Sequence, residues 1–220
     1  KRGPMVGRFD DFHREIALPA WSRAGIGTVG VFDVLLGPDQ PAKYVLLSAG
    51  SPGALLAARE RFEADPAVAG AAFTALPATD PGYVRKECRW LRAFRTLPRL
   101  ELPALSRERR PRIFELRTYE AHSRRANLRK IEMFDTGEIA IFRRTGLTPV
   151  FFGEDLTGSS LPSLTYLLVF GSLADRERHW ATFAADPEWK KLSSTPGFTD
   201  PEIVTNITSV LLRPTPYSPV

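Results

Sequence analysis

The chain repeats itself at a fixed spacing. Gly25 follows Trp21-Ser22-Arg23-Ala24 as Gly146 follows Phe142-Arg143-Arg144-Thr145, and Arg61-Phe62-Glu63-Ala64-Asp65-Pro66 returns as Thr182-Phe183-Ala184-Ala185-Asp186-Pro187, with an offset of 121 residues both times. Chance similarities drift apart through insertions, whereas a constant offset held over roughly 40 residues marks a duplicated unit of about 100 to 120 residues. The fold must therefore be one that a unit of this size can build twice. With 220 residues, 43% of them hydrophobic, the chain has enough apolar side chain for two modest cores.

Several function classes fall away on composition. No apolar run approaches the roughly 20 residues of a membrane span. The single cysteine, Cys88, cannot form an internal disulfide and reads as a small packed residue. It and three scattered histidines give no metal-ligand spacing, so neither a metal nor a cofactor is expected. The first residue is Lys1 rather than Met, as after removal of either a leader or an expression segment, and a removed leader would imply export from a bacterial cell.

The second unit is the easier to read. Residues 113–119 alternate apolar and polar over a β-favouring stretch, as a strand does. From Arg124 to Arg144 the apolar Leu128, Ile131, Phe134, Ile139 and Phe142 recur at helical intervals, and Gly146 supplies the stop. Residues 147–153 read as a second strand, 158–162 as a loop and the nearly continuous apolar run 164–170 as a buried third strand. Ser172 and Asp175 open a second helix through Ala185, Asp186-Pro187 breaks it, residues 188–192 add a turn, and 203–213 form a closing strand.

The order β-α-β-β-α-β is the ferredoxin-like arrangement, an α+β fold with both helices on one face of an antiparallel sheet. Unit one fits it with a helix through Trp21, strands at 27–36 and 43–49, a helix at 53–64 and a last strand near 86–94. Its opening strand would fall before Lys1, so either that strand lies in an upstream segment or the first sheet has only three strands. The expected boundaries are 1–96 for the first unit, 97–112 for a Pro/Arg-rich linker and 113–220 for the second unit. The sheet face without helices must be covered, either by packing sheet on sheet or by curling into a barrel, within one chain or in a homodimer.

Phe114-Glu115-Leu116-Arg117-Thr118-Tyr119, Arg144-Thr145-Gly146-Leu147-Thr148-Pro149-Val150, Ser172-Leu173-Ala174-Asp175-Arg176 and Ala185-Asp186-Pro187-Glu188-Trp189 together resemble the NIPSNAP family, and Leu212-Arg213-Pro214-Thr215-Pro216-Tyr217-Ser218-Pro219 resembles the tail of its two-domain bacterial members. The resemblance covers unit two fully. Unit one keeps residues 25–32 and Ala64-Asp65-Pro66 but lacks the Trp after Asp-Pro. A dimeric α+β barrel built of tandem ferredoxin-like units is what the resemblance implies; no settled biochemical activity comes with it.

Candidate sites follow from the alternation of the first strand. Glu115, Arg117 and Tyr119 point one way, Phe114, Leu116 and Thr118 the other. If the apolar set meets the helices, the polar set lines the barrel interior, within reach of Tyr166 and of Arg176. Such a cluster is either a small-ligand site for a carboxylate or carbonyl group or a structural network that satisfies buried polar groups. No catalytic residue is assigned. Gly146, Asp186 and Trp189 read as structural: a helix stop, a cap on the turn begun by Pro187, and a ring packed at the helix end. His179, whose counterpart is Ala58, and His122 lack a second ligand. Ser159-Ser160 lacks a triad partner.

Charge is uneven, with 15 Lys+Arg against 5 Asp+Glu between Arg85 and Lys130. Polyanion binding is one reading, but no base-reading motif accompanies the block, and no nucleic-acid partner is expected. The expectation is a ligand-binding or protein-interaction module and a homo-oligomer. The alternative is a small-molecule enzyme on the same barrel, resembling cofactor-free monooxygenases or isomerases, a choice that fold alone cannot make.

Overall fold

The structure, a computed structural model, describes residues 4–38 and 40–220. The opening strand expected for unit one would precede Lys1 and lies outside the described residues. The chain divides into two compact units, one of Lys1–Asp33, Pro41–Glu87 and Pro214–Val220, the other of Val34–Gln40 and Cys88–Arg213.

In the first unit, α1 (Pro4–Phe12) runs through a π-helical turn (His13–Ala17) into α2 (Leu18–Arg23). Gly25, at φ +95°, ends the helix in the left-handed region that only glycine enters freely. Strand β1 (Val29–Leu36) pairs antiparallel with β2 (Lys43–Leu47), Val31 lying opposite Val45. Ser51 caps α3 (Pro52–Glu63), and Asp65 caps α4 (Pro66–Ala69). The core gathers Ile26, Val29, Val31 and Ala58 under Trp21, which stacks on Phe62 at 4.0 Å. The chain's last residues belong here too. Thr215 N donates to Val31 O at 2.9 Å, Val31 N donates to Ser218 Oγ at 2.9 Å, and Tyr217 donates to Asp10 at 2.5 Å.

The second unit comprises β3 (Leu91–Ala93), α5 (Ala104–Arg107), β4 (Ile113–Glu120), α6 (Arg124–Met133), a π-helical turn (Phe134–Glu138), α7 (Ile139–Arg144), β5 (Thr148–Asp155), β6 (Ser163–Phe170), α8 (Leu173–Ala185), α9 (Pro187–Ser193), α10 (Asp200–Ile203) and β7 (Asn206–Pro214). Its strands lie in the antiparallel order β7-β4-β6-β5-β3. Phe134, Phe142, Phe152, Tyr166, Leu168 and Phe183 form the heart of its core. All eight residues of β6 are buried, as its unbroken apolar run requires of a central strand.

The offset of 121 recurs in detail. The π-helical turns start at His13 and Phe134, the left-handed glycines are Gly25 and Gly146, and the caps are Ser51 with Ser172 and Asp65 with Asp186. Even the ion pair Arg23–Asp65 at 2.8 Å has its twin in Arg144–Asp186 at 2.6 Å.

Four features differ from expectation. Of 86–94 only Leu91–Ala93 is strand, and it pairs with β5 of the second unit, where Arg92 bonds Glu154. The Pro/Arg-rich stretch 97–112 is laid down rather than free: Leu97 is buried and Glu101 N donates to Val150 O at 2.9 Å. Cys88 is exposed, not packed, because 82–90 carries no helix or strand to turn it inward. In place of a strand from 203, Thr199 donates to Glu202 and opens the single turn α10.

Candidate functional site

Glu115 is the centre of the polar cluster on β4. It is fully buried and accepts from Arg176 Nη2 at 2.6 Å and Nε at 2.8 Å, Ser209 Oγ at 2.6 Å, Trp180 Nε1 at 2.8 Å and Arg117 Nη1 at 3.1 Å. Burial by itself would raise the carboxyl's pKa; the hydrogen bonds from Arg176, Ser209 and Trp180 and the charge of Arg117 outweigh it and hold Glu115 below the ordinary glutamate value. The carboxylate has no lone pair left over for a ligand.

Arg176 and Trp180 sit on α8, so the Glu115, Arg117 and Tyr119 face lies under the helices. The expectation that the helices leave this face uncovered is corrected. Alternation separates two sets of side chains without saying which set meets a helix, and here both sets are buried, Phe114 and Thr118 on one side and Glu115 and Tyr119 on the other. The helix itself brings the polar partners that make a buried carboxylate tolerable.

Arg117 lies opposite Tyr166 on β6 and Ser209 on β7. Its Nη2 donates to Tyr119 at 3.3 Å, and its guanidinium faces the Trp180 ring at 4.6 Å from the centroid. Burial opposes its charge, but Tyr166, Tyr119 and Glu115 prevail and raise its pKa. One donor is unused: Nε is buried with no hydrogen-bond partner, while the side chain as a whole keeps 17% exposure. Tyr166, entirely buried, donates to the Tyr119 oxygen at 3.0 Å. Burial and then Tyr119 push its phenol well above the ordinary value. The structure thus brings Glu115, Arg117, Tyr119, Tyr166 and Arg176 together.

Beside this cluster lies a pair that the sequence reading missed. Lys130 Nζ meets Glu138 at 3.1 Å with both residues 2% exposed, and the ammonium stands 4.9 Å from the Phe134 ring and 5.4 Å from that of Tyr119. Burial raises the Glu138 pKa against the pull of Lys130. A signal was present, since Lys130 falls four residues before Phe134 on the core stripe of its helix.

Gly146, Asp186 and Trp189 hold structural places. Gly146 has φ +89°, and a Cβ on it would stand 2.9 Å from the His179 ring. Asp186 accepts from Glu188 N at 2.9 Å and Trp189 N at 3.0 Å, and Trp189 packs on Phe183 at 4.4 Å. His122 is exposed and lines an open cleft of about 340 Å³ with Arg125, Arg129 and Glu202. Among the described residues, no group of three or more His, Cys, Asp or Glu is placed to hold a metal ion, and no helix is long and apolar enough to cross a membrane.

Residues 114–219 match the family model described as NIPSNAP. A NIPSNAP-like domain protein from Burkholderia xenovorans is 23% identical, with 50% of this chain and 90% of that one covered and a TM-score of 0.44. A NIPSNAP family protein from Agrobacterium tumefaciens is 20% identical, with 50% and 98% covered and a TM-score of 0.44. A protein from Lactobacillus acidophilus, provisionally described as a monooxygenase, is 10% identical, with 96% and 85% covered and a TM-score of 0.53. That likeness spans both units and speaks to the α+β fold alone. No curated protein matches the chain.

Proposed function

The chain belongs to the NIPSNAP family through its second half, and on that premise we propose that it is a binding module that takes the carboxylate or carbonyl group of a small ligand at Arg117. The observation that carries this reading is the buried Nε–H of Arg117 without an acceptor. An unmade hydrogen bond on a buried donor costs about 1–3 kcal/mol, Glu115 is saturated, and the guanidinium is still partly open to solvent. An oxygen acceptor from outside completes the set. The Trp180 ring across the guanidinium keeps the site dry on one side, which strengthens a charge-assisted hydrogen bond.

The test is calorimetric titration with acetate and benzoate. Arg117→Lys keeps a cation beside Glu115 and removes the Nε–H; loss of carboxylate binding with an unchanged melting profile supports the reading, and equal binding by both proteins overturns it. The rival reading, catalysis on a small carbonyl compound, draws on the Tyr119 hydroxyl held beside Arg117, a donor pair suited to polarising a carbonyl. It requires Tyr119→Phe to abolish turnover while leaving carboxylate binding in place. The module is further proposed to act as a homo-oligomer, and a monomeric mass in light scattering across micromolar concentrations would refute that part.

A further inference from the structure

We infer that the β5–β6 hairpin end of the second unit carries a separate binding site, centred on Asp155, for a small hydroxy- or amino-carboxylate. Asp155 closes β5 and is 6% exposed. Its Oδ2 accepts from Ser163 Oγ at 2.9 Å and from Thr165 Oγ1 at 2.8 Å. Thr165 Oγ1 is in turn 2.9 Å from Thr118 Oγ1. Each hydroxyl has one proton. Since Thr165 spends its proton on Asp155, Thr118 must donate to Thr165, and the protons of the hydroxyls on β4 and β6 are all used. What remains is Asp155 Oδ1, buried and without a hydrogen-bond partner among the described residues.

An orphaned carboxylate oxygen of this kind calls for a donor. The fold does not need it. The offset of 121 carries Asp155, Ser163 and Thr165 onto Val34, Ala42 and Tyr44, so the first copy of the unit has a valine at this place and neither Ser163's nor Thr165's small hydroxyl. The second copy alone has installed a carboxylate there, on the sheet face opposite the Tyr166 and Arg117 side and hence apart from the site proposed above. Burial raises the Asp155 pKa, with Arg89 working against it; a ligand hydroxyl or ammonium on Oδ1 favours the ionised form.

The same hairpin end supplies an approach and a counter-charge. Residues 156–162 connect Asp155 at the end of β5 to Ser163 at the start of β6, with Leu156 and Leu161 exposed at 44% and 47%. Arg89 is exposed beside Gly158 and has no ion-pair partner among the described residues. The donor end of the ligand meets Oδ1, and its carboxylate meets Arg89.

Glycolate and acetate separate this site from Arg117, because both are carboxylates and only glycolate brings a hydroxyl. Thermal melting is followed for the wild type, Asp155→Val, Asp155→Asn and Arg117→Lys in each salt. The expected result is that glycolate raises the wild-type melting temperature beyond acetate at equal concentration, that this excess vanishes in both Asp155 variants and that Arg117→Lys retains it. Asp155→Asn, whose amide oxygen still accepts from Ser163 and Thr165, melts no lower than wild type without ligand. Asp155→Asn keeps the size but points an amide donor at the incoming donor. Equal effects of glycolate and acetate on the wild type overturn the inference, as does a melting temperature for Asp155→Asn several degrees below wild type, which would make the carboxylate a structural part.

Discussion

Arg176 holds Glu115 by two hydrogen bonds, at 2.6 and 2.8 Å, and so ties α8 to the strand β4 on which it lies. Removing one partner of a buried pair leaves the other desolvated, and such losses run to about 3–5 kcal/mol. Because Ser209, Trp180 and Arg117 still donate to Glu115, we expect Arg176→Ala to fall at the low end, about 3 kcal/mol in urea unfolding. A loss below the range of surface pairs would show that the other donors carry Glu115 by themselves.

The pH dependence of Glu115 has a definite sign. Its folded pKa lies below the unfolded value, so the carboxylate contributes stability above the ordinary glutamate pKa of about 4.3 and loses it as the pH falls through the folded value. Asp155 has the opposite sign: its folded pKa is raised, its ionisation costs stability at neutral pH, and the cost disappears in acid. Denaturant midpoints taken between pH 7 and pH 3 should therefore show Glu115→Gln converging on wild type from below and Asp155→Asn converging from above.

Gly25 and Gly146 share a left-handed backbone but not a neighbourhood. A Cβ at Gly25 would stand 3.5 Å from Arg61 Nη2, an ordinary contact, whereas one at Gly146 would stand 2.9 Å from the His179 ring. Alanine in this conformation costs about 1–2 kcal/mol. Gly25→Ala should lose that amount alone, Gly146→Ala more, and the double variant Gly146→Ala with His179→Ala should return toward the Gly25→Ala loss.

The two Asp-Pro caps also differ in measurable degree. Asp65 accepts from Ala67 N, while Asp186 accepts from Glu188 N and Trp189 N. Asp186→Ala should lower the melting temperature further than Asp65→Ala, and equal shifts would show that the extra hydrogen bond adds nothing.

Lys130 and Glu138 test whether buried charge is needed at all. Lys130→Met alone strands a carboxylate and should destabilise by about 3–5 kcal/mol, whereas Lys130→Met with Glu138→Leu should recover most or all of the loss. A double variant no better than the single would assign the pair a role in fixing the fold.

Much of this architecture was legible because its signals are local. The helix stop at Gly146, the Asp186 cap and the apolar run of β6 each sit within a few residues of their effect, and the repeat supplied the second reading of each. The orientation of Glu115 was not legible, because β4 is buried on both faces and period two cannot rank them. Nor were the π-helical turns, which shift a helix by one residue without altering its apolar spacing enough to notice. The hydroxyl line at Thr118, Thr165 and Asp155 joins residues brought together only by strand register, and β-propensity reads Thr there as an ordinary strand former.

The attachment of Pro214–Val220 to the first unit sets an order on biosynthesis. A chain leaves the ribosome from its N-terminus, so the residues of α1 and β1 are made before Pro214–Val220, and Val31 and Asp10 meet their partners Thr215, Ser218 and Tyr217 only once those residues have been made. Of the two units, the one begun earlier is completed only after the residues of the other have been made.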